Sequence, residues 1–276
     1  MKLYLIRHQI ILLNFLIYFN MISKLIILGS GSSVGVPRID GVWGRCNKKN
    51  KKNYRTRCSA IVTKGKNSIL IDTSPDLRYQ LISNKIVNVT SVIFSHEHAD
   101  QTNGLFELRP FFWKNNKRIN LYADRTTMKL LTKRHDYLFK KVGSYPPIAK
   151  ANIIKSNFTL GKNSEKILFK PIKVKHGKTN SIAYVFEKIA YISDTNDLSI
   201  VNMKAFRNLN YLIIDCLKFQ KHPTHFNLDE SLYVHKKLNP KKTVLTNLHY
   251  DLDYDYLQKN LPKNVVPAFD GMKIIF

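Results

Sequence analysis

Two histidines and an aspartate stand at alternate positions, His96, His98 and Asp100, directly after the apolar residues Val92, Ile93 and Phe94. A run of β-branched and aromatic residues reads as a buried strand, and alternate residues of an extended chain share one face. Three ligand-type side chains therefore converge where the strand runs out. Imidazole with carboxylate is the donor set that a borderline divalent metal such as zinc prefers. One histidine at a strand end would read as a packed or solvated side chain, whereas two with an acid read as a metal site.

The second half of the chain repeats the pattern. FKPIKVKHG alternates from Phe169 to Lys175 like a half-buried strand and ends at His176, where a glycine lets the chain turn sharply. IAYISDT ends in Asp194, and TVLTNLHYD is read as a strand ending at His249. Isolated histidines do not fall repeatedly at strand ends by coincidence. Between these strands, YLIIDCLKFQKHPTHFNLDESL gives a buried strand, a loop with His222 and His225, and a helix opened by Asn227 with Glu230 three residues on, a variant capping box. Asp215 and Cys216, at the end of that strand, read as structural.

The stretch His96-Glu97-His98-Ala99-Asp100-Gln101 resembles the His-x-His-x-Asp-His signature of the metallo-β-lactamase-fold hydrolases. GSGSSVGVPR, GVWGRC, NKKNKKNYRTRCSAIV and the loop HPTH are similar to one branch of them, the phosphoribosyl 1,2-cyclic phosphate phosphodiesterases and close relatives. The resemblance runs from Lys24 to Phe276. It implies an α+β fold, a four-layer αββα sandwich, with two divalent ions (Zn²⁺, Mn²⁺ or both) as cofactors. His96, His98, His176 and Asp194 would hold one ion, and Asp100, Asp194 and His249 the other. Such a pair lowers the pKa of a bridging water and orients a phosphate. His225 would stand beside the substrate as proton donor, His222 would help it or merely pack, and Arg109 would contact substrate phosphate or form a surface ion pair. Asp72 falls where the fold usually has a carboxylate supporting the metal loop.

Two positions depart from the family pattern. Gln101 stands where the family carries an imidazole ligand to the second ion, and its only donor to a metal is an amide oxygen. That atom suits Mn²⁺ or Mg²⁺ better than zinc, so the second site is expected to be the weaker. Many members of the branch also carry a cysteine cluster for a structural zinc; only Cys46 remains here ahead of Arg57-Cys58, and that zinc is not expected.

The elements that must position these residues fit a single large domain. A chain of 276 residues, 44% hydrophobic and 11% aromatic, can bury a sizeable core. Residues 1–20 read as an N-terminal extension outside the fold and 21–276 as the hydrolase domain. Within the extension, Lys2 and Arg7 precede an apolar run from Ile10 to Phe19 that is faintly like a signal peptide, lacks a small-residue cleavage site and is too short to span a bilayer. Further on, Ser68 to Arg78 reads as a strand and then a helix capped by Ser74 with Pro75 at its first position. GLFELRPFFW reads as a helix up to Pro110, NLYA as a strand, and Thr126 to Tyr137 as an exposed basic helix. Three cysteines without CxxC spacing argue against a disulfide framework and for a reducing compartment, the cytoplasm by default.

A formal charge of +26 points to an anionic partner, a phosphorylated metabolite or nucleic acid. Lysine crowds the whole chain rather than one patch, so charge alone does not select nucleic acid. The densest basic run, Lys48, Lys49, Lys51, Lys52, Arg55 and Arg57, reads as a solvated loop, with steering of a phosphorylated substrate the alternative. The expected activity is hydrolysis of a small phosphodiester, most simply a cyclic sugar phosphate, by a protein without a membrane partner and compatible with a homodimer. An RNA-processing nuclease of the same superfamily is the first competitor. A non-enzymatic nucleic-acid binder is the second, and it leaves the acids and histidines at strand ends unexplained.

Overall fold

The computed structural model describes residues 23–199, 201 and 203–276, so the apolar run Ile10 to Phe19 lies outside the described residues. The first sheet collects β1 (Lys24–Gly29), β2 (Ser59–Lys64), β3 (Asn67–Ile71), β4 (Ser91–Ile93), β5 (Ile119–Ala123) and β6 (Ala149–Ile153). The second collects β7 (Phe158–Leu160), β8 (Ile167–His176), β9 (Thr179–Phe186), β10 (Ile189–Ile192), β11 (Tyr211–Asp215), β12 (Lys242–Thr246) and β13 (Val265–Pro267), and β14 (Met272–Ile275) returns to the free edge of β1. The orders are β14-β1-β2-β3-β4-β5-β6 and β13-β12-β11-β10-β9-β8-β7.

Both sheets follow one plan. Pairing is antiparallel from β14 through β3 and parallel from β3 to β6. It is antiparallel from β7 through β10 and parallel from β10 to β13. Parallel neighbours direct their carboxyl ends the same way, and sheets of this kind bind ligands in the crevice beyond those ends. The loops after β4, β10, β11 and β12 are the ones that carry His96, Asp194, His225 and His249.

Alternation along the strands builds the layers. In β1, Leu25 and Ile27 face the second sheet, in a core with Val62, Ile93, Phe169, Tyr184, Tyr191 and Val244. Ile26 and Leu28 face outward, with Leu77 and Leu81 of α1 (Leu77–Ser83) and Met128 and Leu131 of a later helix. The outer face of the second sheet, Ala190, Ile192, Leu212, Ile214 and Leu245, is covered by Val234 and Leu257 from two further helices. Three apolar cores separating four layers make this the αββα sandwich. Strands covered on both faces read as continuous apolar runs, which is why β4, β10 and β11 were recognisable.

Several boundaries differ from expectation. Ser74 does not cap α1, which starts at Leu77; its hydroxyl accepts from Asp76 N–H and donates to Gln80, making a turn ahead of the helix. After α2 (Ala99–Thr102), the segment around Pro110 is a 3₁₀ turn, Leu105–Leu108, followed by α3 (Arg109–Asn115). Pro110 thus opens a helix rather than closing one, because its missing N–H costs nothing in a first turn. The basic helix is α4 (Arg125–Arg134), capped by Asp124, with α5 (Asp136–Phe139) after it; Met128 and Leu131 are buried, so it covers the sheet. Asn227 caps α6 (Leu228–Leu238) with the reciprocal Glu230 bond expected. β12 ends at Thr246, three residues before His249, because Asn247 turns the chain at φ 62. The last helix is α7 (Tyr254–Asn260). Among the described residues no helix is long and apolar enough to cross a membrane, and all three cysteines are free and buried.

Candidate metal centre and proton donor

Beyond Ile93 the chain leaves the sheet and forms a loop held from below and from the side. Asp72, wholly buried and at φ 61, accepts a hydrogen bond from Ser95 N–H at 2.7 Å. Arg134 donates to the Glu97 carbonyl at 2.7 Å. The loop so fixed brings His98 Nδ1 to 2.9 Å from His96 Nε2 and 3.3 Å from His176 Nε2.

Three imidazole nitrogens at these separations are poorly explained by hydrogen bonding alone. His176 Nδ1 lies 2.7 Å from the Thr224 carbonyl, to which only an N–H can donate, so its Nε2 presents a lone pair. His96 Nδ1 is partnered by Ser95 Oγ at 3.0 Å. One proton on His98 Nδ1 could serve a single neighbour and would leave the other pair unbridged. A tetrahedral ion with nitrogen ligands at about 2.0–2.1 Å separates those nitrogens by roughly 3.3 Å, against 2.9 and 3.3 Å for the two pairs here. Burial pushes the His96 ring down to about 3 and also lowers His176, so both stay neutral, the form a metal requires. Their outer nitrogens are tied to a hydroxyl and a carbonyl, as in orienting contacts around bound metals.

Carboxylates complete the site. Asp194 is buried, and its carboxylate groups with His176 and His225 so that one ligand atom from each lies within 4.8 Å of the others. Burial and the charge of Asp194 raise Asp100, as expected when acids face each other out of water. Gln101, also buried, sends Nε2 to within 3.3 Å of Asp100 Oδ2 and 3.5 Å of Asp194 Oδ2. The amide thus offers its nitrogen, not the oxygen expected of a ligand, because N–H₂ is the end that satisfies two carboxylates. Its Oε1 is buried without a partner. His249 is half-buried in the loop after β12; its Nδ1 meets Asp251 at 3.1 Å and its ring lies tilted against Tyr250 with centroids 3.6 Å apart. Neither Asp100 nor His249 joins the tight clusters formed by the other ligands.

His225 has a partner that sequence reasoning passed over. Its Nδ1 lies 2.7 Å from Asp215 Oδ2, while Thr195 N–H donates to the same oxygen and the Asn247 amide to Oδ1. Burial disfavours the charged ring, but Asp215, with Asp194 and Asp100 beyond it, outweighs burial and pushes His225 up to about 9. Burial in turn raises Asp215 to about 6, leaving it ionised at neutral pH. With Nδ1–H committed to Asp215, His225 is an imidazolium with its other proton on Nε2. An acid ending a buried parallel strand, as Asp194 does, was the available signal for Asp215.

His222 lies beside this pair, its ring 5.4 Å from that of His225 and its Nδ1 bonded to Thr224. Arg109 is elsewhere, over the rings of Phe106, Trp113 and Tyr145 at 4.6, 5.7 and 6.0 Å. A cavity of about 1200 Å³ opens next to the site between Asn196, Phe206, Phe226 and Tyr233, and none of the candidate ligands lines it.

A four-layer sandwich with histidines and acids gathered at the carboxyl ends of its parallel strands is the architecture of a metallo-β-lactamase-fold hydrolase. Residues 67–250 match the family model described as beta-lactamase superfamily domain, and the chain belongs to that superfamily. The crystal structure of a diphosphatase from the PhnP family is 31% identical, with a TM-score of 0.82 over 92% of this chain and 98% of the other. Zn²⁺-bound PqqB from Methylobacterium extorquens shares the fold at 16% identity, with a TM-score of 0.74 over 91% of this chain and 99% of that one. An octanoyltransferase of Porphyromonas gingivalis is 28% identical over 258 residues, covering 91% of this chain and 51% of the relative. The chain thus spans about half the length of that curated relative.

Proposed function

We propose that this protein hydrolyses a small phosphodiester, most simply a cyclic sugar phosphate, with two divalent ions and His225 as the general acid. The observation that carries the reading is the convergence of three imidazole nitrogens beside the buried Asp194 carboxylate, with His225 held against the same acid. Kinship with a PhnP-family diphosphatase supports a phosphate-bearing substrate.

His96, His98, His176 and Asp194 would hold one ion, and Asp100, Asp194 and His249 the other. A half-turn of the Gln101 amide exchanges its two ends and would present Oε1 to the second. When bound, the ions supply an acidified water as nucleophile and offset charge on the phosphate. The protein's own groups do the rest. Ser95 and the Thr224 carbonyl fix the ring planes of His96 and His176. Asp215 holds the His225 proton donor in one orientation and keeps it charged at neutral pH. His225 Nε2–H then gives its proton to the departing alkoxide, which would otherwise leave as a strong base.

Purified protein assayed against ribose cyclic phosphates, linear diesters and RNA tests the substrate class. The expected result is the highest kcat/KM on a small cyclic diester, with RNA bound weakly and released by salt. RNA binding tighter than about micromolar at physiological salt, stronger than ordinary nonspecific contact, would favour the nuclease reading instead.

A further inference from the structure

The basic run 48–57 is not uniformly solvated. Lys48, Lys49 and Lys51 are exposed, but Arg55 is 1% exposed, and its hydrogen bonds go to neutral acceptors. Nη1 donates to the His249 carbonyl at 3.2 Å and points at Cys46 Sγ at 3.8 Å. Nη2 donates to the Leu252 carbonyl at 2.7 Å and to Asn53 Oδ1 at 3.2 Å. Nε has no partner. Burial lowers the Arg55 pKa, opposed in part by the charges of Asp270 and Asp253, yet guanidinium keeps its proton in proteins, so a permanent charge is buried with only carbonyl, amide and thiol groups as its hydrogen-bond partners. Burying a charge in this way is costly, and an apolar side chain would fill the volume without that cost.

The acceptors show what the charge accomplishes. Two belong to the loop before β2, and two are main-chain carbonyls bracketing the turn 249–252, which no side-chain substitution can replace. A planar fork is the group able to hold two such carbonyls at once in fixed relative positions. Other bonds tie the same two segments together: Arg45 N–H to the Tyr250 carbonyl at 3.0 Å, Asn47 N–H to Asp253 at 2.9 Å, and Tyr254 N–H to Asn53 at 2.8 Å. The Arg55 backbone is itself fixed by a reciprocal pair of 2.8 Å bonds to Val36.

We propose that Arg55 is the positioning residue of the 249–252 turn, setting where His249 and the Tyr250 ring beside it stand at the rim of the metal centre. The proposal rests on the ligand role given to His249 above. It assigns Arg55 no contact with substrate or ion. It explains how a ligand on a turn outside the sheet is held, together with the bond from His249 N–H to the Leu217 carbonyl at 2.9 Å.

Arg55→Lys keeps the charge and loses the fork, so it separates the two. Three readouts are needed: calorimetric titration of metal-stripped protein with Zn²⁺, hydrogen exchange of the peptide spanning 247–254 without metal, and kcat and KM on bis(para-nitrophenyl) phosphate. The expected result is an unchanged first Zn²⁺ equivalent, a second weakened at least tenfold, faster exchange confined to 247–254, and a larger fall in kcat than rise in KM. A lower melting temperature with both equivalents and the exchange as in wild type would overturn the proposal, because Arg55 would then serve stability alone. Should Arg55→Lys not fold, Asn53→Ala removes one acceptor of the fork, and exchange of 247–254 equal to wild type would overturn it equally. Failure of the underlying reading looks different: wild type itself would take up no second equivalent, while the exchange result still reports on the clamp.

Discussion

Replacing Asp215 with asparagine keeps the shape of the side chain and removes the charge that sustains His225. The carboxylate faces His225 Nδ1 at 2.7 Å and is the leading influence holding the ring up to about 9 against burial. Without it the ring falls back toward the ordinary histidine value of 6.5. The sign follows from the role: a general acid must carry its proton, so kcat is lost as pH rises through the pKa of His225. Taking values of about 9 and about 6.5, the protonated fraction at pH 8 drops from roughly nine-tenths to roughly three-hundredths, a loss of about 30-fold, whereas at pH 6 most of the acid form returns. The amide also has N–H to offer to Nδ1, which favours a neutral ring, a far weaker acid. The assay is kcat against pH from 5.5 to 9.5 for wild type and Asp215→Asn, using diesters with an alkoxide and with a nitrophenolate leaving group, and melting curves to confirm folding. The alkaline limb should move to lower pH in the variant, and the loss should be larger for the alkoxide, which needs the proton more. An alkaline limb at the same pH in both proteins, or equal losses for both leaving groups, would refute the assignment of the pair.

Three other outcomes are expected. His98→Ala, which removes the nitrogen facing both His96 and His176, should abolish turnover together with binding of the first Zn²⁺ equivalent, read by calorimetry. His225→Ala should retain both equivalents and lower kcat by about 10²-fold to 10⁴-fold, the usual cost of a lost general acid; loss of metal instead would make His225 a ligand. Gln101→His should tighten the second equivalent for Zn²⁺, since imidazole is the better zinc donor, and identical titrations would show that position 101 does not reach the metal.

What could be read from sequence was what is encoded locally. β4, β10 and β11 are short apolar runs with chemistry immediately after them, and the strand end marks itself by the change from apolar to polar residues. The Asn227 cap was legible because both of its bonds close within four residues. Helix starts were less so: Ser74 and Pro75 have the composition of a cap, yet the chain spends them on a turn that brings Ser74 to Gln80. β9 is itself an apolar run, Ile182 to Phe186, but it ends without ligand-type residues, so nothing chemical singled it out. Asp215 meets His225 across a loop, and Arg55 meets carbonyls about 200 positions away. Residue type and spacing hold no record of such contacts, so by sequence Asp215 reads as structural and Arg55 as another member of a solvated basic run.

The central claim is that hydrolysis is carried out at a metal centre built by His96, His98, His176 and the neighbouring carboxylates. The measurement that tests it most directly is turnover of bis(para-nitrophenyl) phosphate by protein stripped with a chelator, dialysed, and titrated with Zn²⁺ or Mn²⁺ while bound metal is counted on the same samples. Activity should vanish on stripping and return in step with the metal bound per chain. Undiminished turnover by the stripped protein would contradict the account.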